Sequence, residues 1–314
     1  MTSRRSFVKS AALFSAGMLA SPALFAKGQT DIGLQLYTLR EAMQKDPMGT
    51  LARVAKMGYT TVEGATYTGS GLFYGMAPAA FAKELKKTGL TMPSSHYRLG
   101  EEQEKGQPVQ GTMLHGWDKA VDDAAQVGVK YMVCAYLSDA ERGGLDHYKY
   151  VADQLNKAGE RCKKAGIQLC YHNHDFEFKA QNGQLPYDLL LATDKDLVKV
   201  AQNNQLPYDI LLATDKDLVK MELDLYWATK AGKDPVAMFK QHPGRFPLWH
   251  VKDMDKTPQR NFTEVGNGSI DFKRIFAQKK LAGMQYFFVE QDQTPGSPFD
   301  SIQKSIAHIK RTLV

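Results

Sequence analysis

The stretch Ile167-Gln-Leu-Cys-Tyr-His-Asn-His-Asp-Phe-Glu-Phe178 joins an apolar run to a polar cluster with two imidazoles and two carboxylates. The apolar part predicts a buried strand, in which successive side chains point to opposite faces. His172 and His174 therefore point the same way, and Asn173 points the other way. An apolar strand with histidines at its C-terminal end is typical of an α/β barrel, which keeps its chemistry at that end.

Three later segments have the same form, because each is an apolar strand that runs into a side chain able to bind a metal. They are Val219-Lys-Met-Glu-Leu-Asp224, Phe246-Pro-Leu-Trp-His-Val-Lys-Asp253 and Gln285-Tyr-Phe-Phe-Val-Glu290. Together with the histidine strand, they predict strands five to eight of one sheet.

Four earlier strands and seven helices complete a regular alternation of strand and helix. The predicted strands are Ile32–Tyr37, Thr60–Glu63, Leu90–His96 and Lys130–Ala135. The predicted helices are Thr50–Met57, Pro78–Lys87, His115–Val127, Tyr148–Ala165, Pro235–Gln241, Phe272–Lys280 and Phe299–Leu313. Most of these helices are followed by glycine, and the pattern predicts an α/β fold, a single-domain (β/α)₈ TIM barrel. The competing doubly wound sheet needs a glycine-rich turn after an early strand, and Tyr37-Thr-Leu-Arg-Glu-Ala42 has no glycine.

The composition is that of an ordinary globular protein. The chain has 314 residues, of which 43% are hydrophobic and 24% charged, and a net charge of +6. Residues 1–26 contain three basic residues and no acidic one, which leaves +3 for the remainder. That charge is too small and too dispersed to indicate a nucleic-acid partner. The three cysteines, Cys134, Cys162 and Cys170, form no CxxC motif and are predicted to be buried free thiols.

The N-terminus predicts an export signal. Ser3-Arg-Arg-Ser-Phe-Val-Lys9 precedes an apolar stretch, Ala11–Ala26, and the arrangement resembles a bacterial twin-arginine signal. The resemblance implies residues 1–26 as a signal peptide cleaved near Ala26, with the barrel in residues 27–314. It also implies the twin-arginine export machinery as a partner and a periplasmic or otherwise exported protein. A retained anchor is the alternative.

A tandem duplication lies between predicted strands five and six. Residues 180–200 and 201–221 are identical at 18 of 21 positions. Two copies are too few for a solenoid. Because the second copy continues into Met221-Glu-Leu-Asp224, we assign it to the barrel wall. The first copy is predicted to be an insertion on the surface or against a partner, and an insertion of this size costs little closure entropy.

The strand ends supply a candidate metal site. His172, Asp224, His250 and Glu290 end four consecutive strands, and neighbouring strands lie about 4.8 Å apart. Their side chains are therefore expected to converge on one divalent ion. Two imidazoles and two carboxylates suit Mn²⁺, Co²⁺, Fe²⁺ or Zn²⁺ better than Mg²⁺, which prefers oxygen ligands.

These residues resemble the site of the xylose-isomerase-like barrel superfamily, often called sugar phosphate isomerase/epimerase. The resemblance covers nearly all of the chain after the signal, minus one repeat copy. It implies one divalent metal held by Glu, Asp, His and Glu on strands five to eight. Asp224, His250 and Glu290 match the last three, and Asp253 completes a matching His-x-x-Asp pattern. His172 departs from the pattern, because it stands where the first glutamate would be.

That departure bears on the reaction. Epimerases and ketose isomerases of this superfamily often use the two glutamates as acid/base groups on opposite faces of the substrate, and this chain keeps only Glu290. The predicted base is therefore Glu290 or His174, with Glu177 as a further candidate for the second base. Trp227 stands three residues after Asp224, where the epimerases often have a histidine, and it is better suited to stacking on a sugar.

Other polar residues are predicted to line the same mouth. Lys252 is predicted to be catalytic, since a lysine beside a metal can have a lowered pKa and can stabilise an enolate. Substrate binding is predicted for residues at the ends of strands one, two, three, six and seven: Gln35, Glu63, His96, Trp227 and Asp253.

The predicted function is metal-dependent isomerisation or epimerisation of a non-phosphorylated sugar or keto-sugar through an enediolate. A metal-dependent lyase that eliminates the β-substituent of a keto-glycoside is the first alternative. A non-catalytic periplasmic sugar-binding barrel is the second, and a metal-dependent endonuclease the third. The small-molecule partner is a carbohydrate in the first three cases. The oligomeric state stays open, a homo-oligomer included.

Overall fold

Eight parallel strands close into a barrel in the computed structural model, which describes residues 31–69, 71–143, 145–179 and 217–314. The strands pair in sequence order, and the last pairs with the first. They are β1 Gly33–Gln35, β2 Thr61–Gly64, β3 Thr91–Tyr97, β4 Tyr131–Cys134, β5 Gln168–His172, β6 Val219–Asp224, β7 Leu248–Val251 and β8 Tyr286–Val289. The predicted TIM barrel is confirmed.

Helices follow most of the strands in the described part of the chain. They are α1 Arg40–Lys45, α2 Pro47–Met57, α3 Pro78–Thr88, α4 Trp117–Val127, α5 Leu145–Lys164, α6 Leu225–Lys230, α7 Pro235–Gln241, α8 Phe272–Phe276, α9 Lys279–Ala282 and α10 Pro298–Thr312. Local chemistry sets several of their ends. Asp46, for example, caps α2 by accepting a hydrogen bond from the Gly49 N–H, and Gly58 ends it at a φ of 94°.

Two predicted elements differ from the structure. The first strand is shorter than predicted, because the chain turns into a 3₁₀ helix at Leu36–Leu39. The Gln35 side chain caps that helix by accepting from the Tyr37 N–H. The predicted helix Phe272–Lys280 is two short helices, α8 and α9. After β3, Gln103–Glu104 pairs with Gln107–Pro108 in a small hairpin.

Strand alternation divides the apolar residues into two clusters. Side chains on the outer face of the strands, such as Tyr171 and Trp249, pack with the helices in the main core. The inner face carries a separate cluster of four fully buried residues: Val133, Cys170, Leu248 and Phe288. This inner cluster fills the barrel below the ends of the strands.

Gly33 makes room for that inner cluster. A Cβ atom at this position would lie 2.4 Å from Cδ1 of Phe288 and 2.6 Å from the carbonyl oxygen of Phe287. Only glycine fits there, because the Phe288 ring occupies the space that a side chain on β1 would fill. The barrel interior is therefore closed beneath the mouth rather than open as a pore.

Several predictions made from the sequence fall on residues that the structure leaves undescribed. The candidate signal (1–26) and most of the duplication (180–216) lie outside the described residues. The end of the second copy is described, and residues 219–221 open β6 as predicted. All three cysteines are free and buried, as predicted. Among the described residues, no helix combines the length and apolarity that a membrane span requires.

Candidate active site

Strand register gathers the polar residues at the C-terminal end of the barrel. On the inner face, Asp224 of β6 pairs with His250 of β7, and Glu222 pairs with His172 of β5. Glu290 follows β8 directly, and its side chain is 5% exposed. The polar layer therefore begins one inner-face position above the apolar cluster, at the point where the strands end.

Three of the predicted metal ligands face one another. One ligand atom from each of Asp224, His250 and Glu290 lies within 4.8 Å of the others. Nδ1 of His250 is 3.9 Å from Oδ2 of Asp224 and 2.7 Å from Oε2 of Glu290. His172 completes the set, because its Nε2 lies 3.7 Å from Asp224 Oδ2. The structure thus brings together the four side chains that the sequence predicted as ligands.

Two buried carboxylates hold the histidines of this set in place. Nε2 of His250 lies 2.6 Å from Oε2 of Glu63, and Nδ1 of His172 lies 3.0 Å from Oε2 of Glu222. Each imidazole consequently keeps its other nitrogen on the side of Asp224. This is the arrangement in which a carboxylate fixes the ring of a metal-binding histidine and raises its basicity.

Glu63 and Glu222 belong to a larger network that also contains His96 and Gln35. His96 Nε2 lies 2.9 Å from Glu222 Oε2 and 3.3 Å from Glu63 Oε2. Gln35 donates to Glu63 at 2.7 Å, and the Ser94 hydroxyl donates to the other oxygen of Glu63 at 2.5 Å. Gln35 and Glu63 are fully buried, so they support the histidines, whereas sequence analysis predicted that both bind substrate.

Burial and neighbouring charges shift the pKa values of this network in different directions. Burial alone would raise the pKa of Glu63, but His96 and His250 hold it well below its ordinary value. Burial, followed by the negative charge of Glu63, raises the pKa of Glu222 to about 7. Burial, followed by the charge of His250, lowers the pKa of His172 well below its ordinary value. His172 is therefore neutral, which is the form that binds a metal.

Lys252 brings a buried positive charge to the candidate ligands. Its Nζ lies 2.7 Å from Glu290 Oε2, 2.8 Å from Asp292 Oδ1 and 3.0 Å from Asp224 Oδ2. Burial would lower the pKa of Lys252, but these three carboxylates raise it well above its ordinary value. The sequence suggested a lowered pKa for Lys252, whereas the three carboxylates shift it in the opposite direction.

A cavity of about 740 Å³ opens above this layer. His174 and Trp227 line it, together with His96, His172, Lys252 and Glu290. Its wall also includes two aromatic residues, Tyr67, which follows β2, and Tyr97, the last residue of β3. Its volume is in the range of small-molecule sites, and its lining combines aromatic faces with a few charged groups.

Four predicted catalytic or substrate-binding residues lie outside this cavity lining: Gln35, Glu63, Glu177 and Asp253. The Glu177 carboxylate is fully buried, accepts from the Tyr171 hydroxyl at 2.7 Å and accepts from the His174 N–H at 2.8 Å. The Asp253 carboxylate accepts from four backbone N–H groups, those of Met254, Gly266, Gly268 and Ile270. Because the oxygens of Glu177 and Asp253 are already bonded, these two residues hold the backbone. Contrary to the prediction, neither lines the substrate cavity.

Two residues of the site were missed by sequence analysis. Glu222 shares the inner face of β6 with Asp224, two positions on, and this period-two spacing was a usable signal. Asp292 lines the cavity from the loop after β8, where no strand periodicity points to it. The contact between its carboxylate and Lys252 identifies it as part of the site.

The residues present fit a divalent cation. Oδ2 of Asp224, Nδ1 of His250 and Oε2 of Glu290 are buried and make no well-oriented hydrogen bond to the described residues. His250 Nδ1 nevertheless lies 2.7 Å from Glu290 Oε2, and Lys252 lies near both carboxylates. A second group of side chains that could bind a metal consists of His96, His172, Glu222 and His250. In this group the three histidines already contact Oε2 of Glu222. The first group, with His172 Nε2 beside it, is therefore the better site for an ion.

The chain belongs to the xylose isomerase-like TIM barrel family, whose model matches residues 51–312. Curated relatives include proteins named inosose dehydratase. The one from Lacticaseibacillus casei is 22% identical over 187 residues, and the one from Clostridium beijerinckii is 24% identical over 184 residues. These alignments cover 54% and 52% of this chain, and they span about half the length of each relative.

Solved structures share the fold. A protein from Parabacteroides distasonis described as a sugar phosphate isomerase/epimerase is 29% identical, with a TM-score of 0.72. The match covers 92% of this chain and 96% of that one. A protein described as IOLI with a bound zinc atom shares the fold at 15% identity and a TM-score of 0.64, with 90% and 97% coverage. The relatives named for a reaction are enzymes, which does not favour a non-catalytic sugar-binding barrel.

Proposed function

We propose that this protein is a divalent-metal-dependent lyase that removes a proton beside the carbonyl of a non-phosphorylated keto-sugar and expels the β-oxygen substituent. The observation that carries the proposal is the convergence of His172, Asp224, His250 and Glu290 beneath a polar cavity. Sugar binding without chemistry needs no such cluster, because burying these charges costs stability. The relatives named for dehydration of an inosose support an elimination.

The four converging side chains would hold the ion, and Mn²⁺, Co²⁺, Fe²⁺ and Zn²⁺ suit their nitrogen and oxygen atoms. A bound ion would polarise the substrate carbonyl and acidify the neighbouring C–H. Lys252 is held beside the same ligands, so its ammonium is available to the negative charge that develops on the carbonyl oxygen.

His174 is the residue that we assign to move the proton. It lines the cavity, and its Nδ1 is buried without a hydrogen-bond partner among the described residues. Burial, followed by the charge of Lys252, lowers the pKa of His174 to about 3, so the resting ring is neutral, and it is a weak base whose imidazolium gives up its proton readily. The C–H electrons pass into an enolate, and the enolate then re-forms the carbonyl as the new C=C bond forms and the C–O bond to the β-substituent breaks. The imidazolium, a strong acid at this pKa, returns the proton to the departing oxygen.

Elimination fits these residues better than two-base epimerisation. An epimerase of the two-base type needs an acid/base group on each face of the substrate. The position on β5 that would supply the second group is His172, and its two nitrogens already face Glu222 and Asp224. One imidazole suffices for an elimination in which the same group takes and returns the proton.

Isomerisation or epimerisation through the same enolate is the second candidate. The 29% identity to a protein described as a sugar phosphate isomerase/epimerase supports it. Our proposal of a non-phosphorylated substrate rests on the twin-arginine-like motif Ser3–Lys9, because an exported enzyme meets free sugars and glycosides rather than sugar phosphates. Export itself is part of the proposal.

Proton NMR in D₂O distinguishes the two candidates. The metal-loaded protein is incubated with keto-glycosides and keto-cyclitols, with Mn²⁺, Co²⁺ or Zn²⁺. Elimination produces an alkene proton signal and a free leaving group, whereas isomerisation or epimerisation produces a new sugar labelled with deuterium beside the carbonyl. His174→Asn should abolish product formation, and His308→Asn on α10 should retain it. Deuterium-labelled sugars without any alkene would replace the lyase by the isomerase, and no product of either kind would exclude both.

A further inference from the structure

Two tyrosines at the rim of the cavity are more exposed than other large apolar side chains usually are. Tyr136, two residues after β4, is 44% exposed, and Tyr37, two residues after β1, is 45% exposed. Both line the cavity. An exposed aromatic ring at the edge of a polar site offers a flat apolar surface to a ligand.

The ring of Tyr136 is held in place from behind. Arg142 donates to the Tyr136 hydroxyl at 3.2 Å, and its guanidinium carbon lies 4.1 Å from the centre of the Phe176 ring. Arg142 also donates to the Ser138 carbonyl oxygen and pairs with Asp139. A fixed ring loses little conformational freedom when a ligand stacks on it, so it binds more strongly than a mobile one.

Tyr136 also adjoins the residue that we assign to move the proton. The Tyr136 and His174 rings meet edge to face, with centroids 5.1 Å apart and an interplanar angle of 85°. Phe176 stacks parallel to His174 at 5.4 Å, which ties the three rings into one wall. A group attached to the oxygen that His174 protonates would therefore extend along this wall.

We propose that Tyr136 forms the leaving-group subsite, and that the departing alcohol carries a second ring, aryl or glycosyl, that stacks on it. This inference rests on the proposed lyase function and narrows its substrate to a glycoside with a ring-bearing leaving group. The cavity of about 740 Å³ lies in the upper half of the range for small-molecule sites, which leaves room for two rings.

Tyr37 does not fit this role. It follows β1, three strands away from β4 around the barrel. An arginine lies over each of the two rings, Arg40 over Tyr37 at 4.5 Å and Arg142 over Tyr136 at 5.4 Å, so the two tyrosines differ in position and not in this contact. Arg40 donates to the carbonyl oxygens of Tyr37 and Asp292, which ties it to the side of the cavity next to β8. A ring attached next to His174 should therefore contact Tyr136 and not Tyr37.

Binding of matched unreactive ligands tests the subsite separately from catalysis. Phenyl and methyl glycosides of several hexoses, which lack the keto group, are titrated calorimetrically into the metal-loaded protein. The wild type should bind the phenyl member of a pair about tenfold more tightly than the methyl member, because of stacking on one aromatic ring. A matching pair of glucosyl and methyl glycosides distinguishes a sugar ring from an aryl ring.

Three tyrosine variants locate the effect. Tyr136→Ala should remove the phenyl preference and leave methyl glycoside binding unchanged. Tyr150→Ala, an exposed tyrosine on α5 that is 40% exposed, should retain the preference. The proposal is overturned if the preference survives in Tyr136→Ala, if it disappears in Tyr37→Ala instead, or if no pair binds. A preference that depends on Tyr136 without elimination of any keto-glycoside would keep the subsite and refute the lyase.

Discussion

Two layers of the barrel interior, one directly above the other, are built from opposite chemistry. In the lower layer, Leu248 and Phe288 pack with Val133 and Cys170 and carry no charge. Two residues further along the same strands, His250 and Glu290 are almost as deeply buried but are ionisable. Burial of apolar side chains stabilises the lower layer. In the upper layer, the attraction within the ion pairs at best offsets the free energy that desolvation of the charged groups costs. The difference indicates that function, and not stability, retains the upper layer.

The largest expected effect is the loss of the metal from the upper layer. His172→Ala and Glu290→Gln each remove one ligand, so we expect bound metal to fall far below one ion per chain and turnover to fall at least about a thousandfold. Metal content of the purified protein and initial rates measure the two effects. Cys170→Ala, one inner-face position below His172, should retain the ion. A full complement of metal in both ligand variants would contradict the proposed site.

The lower layer should respond in the opposite way. Leu248→Ala creates a cavity beneath His250 and should lower the free energy of unfolding by about 3 kcal/mol, since Leu248 is fully buried. Metal content per folded chain should stay unchanged. Urea unfolding measures the loss, and Leu281→Ala on α9, which removes a partly buried leucine, should cost less than half as much. If Leu248→Ala abolished metal binding without loss of stability, the separation of the two layers would be wrong.

A smaller effect is expected for the carboxylates that orient the histidines. Glu222→Gln keeps the shape of the side chain but weakens the acceptor that holds Nδ1 of His172. Metal affinity should fall roughly 10- to 100-fold, the usual effect of losing such a partner. Competition with a chelator measures it, and Glu41→Gln on the exposed side of α1 is the control. Unchanged affinity would mean that the His172 orientation does not depend on Glu222.

The two layers also differ in how well the sequence predicts them. Apolar runs that alternate with helical segments predicted all eight strands and the barrel. His172, Asp224 and His250 were predicted at the ends of three consecutive strands, and strand order brought them together. Strand periodicity does not, however, tell which N–H groups donate hydrogen bonds to a carboxylate. Asp253 and Glu177 share the composition of the site, but loop and turn N–H groups occupy their oxygens.

Contacts across the barrel were the part that pattern could not supply. Glu63 on β2 meets His250 on β7 although 187 residues separate them along the chain. Gly33 is a second example, because no turn requires a glycine there. The ring of Phe288 on the neighbouring strand fills the space that a side chain at position 33 would need. Such pairs depend on barrel closure and register, which follow from the packing of all eight strands rather than from any one of them.

The smallest expected effect concerns Glu177, which is buried beside the upper layer without lining the cavity. Burial raises its pKa from 4.5 to about 8, against the hydrogen bond from Tyr171. The folded state therefore holds a proton that the unfolded chain releases near pH 4.5, and stability falls as the pH rises from about 5 to 8, by at most about 1.4 kcal/mol per pH unit.

Glu177→Gln cannot titrate, and its amide can still accept from the His174 N–H and donate to the Tyr171 hydroxyl. Urea unfolding at pH 6 and pH 7 should show that the wild type loses more stability than the variant over this step. Turnover in Glu177→Gln should remain close to wild type, because Glu177 holds the His174 backbone from behind. Equal pH slopes would show that Glu177 is ionised in the fold, and a large loss of turnover would restore it as the second acid/base group.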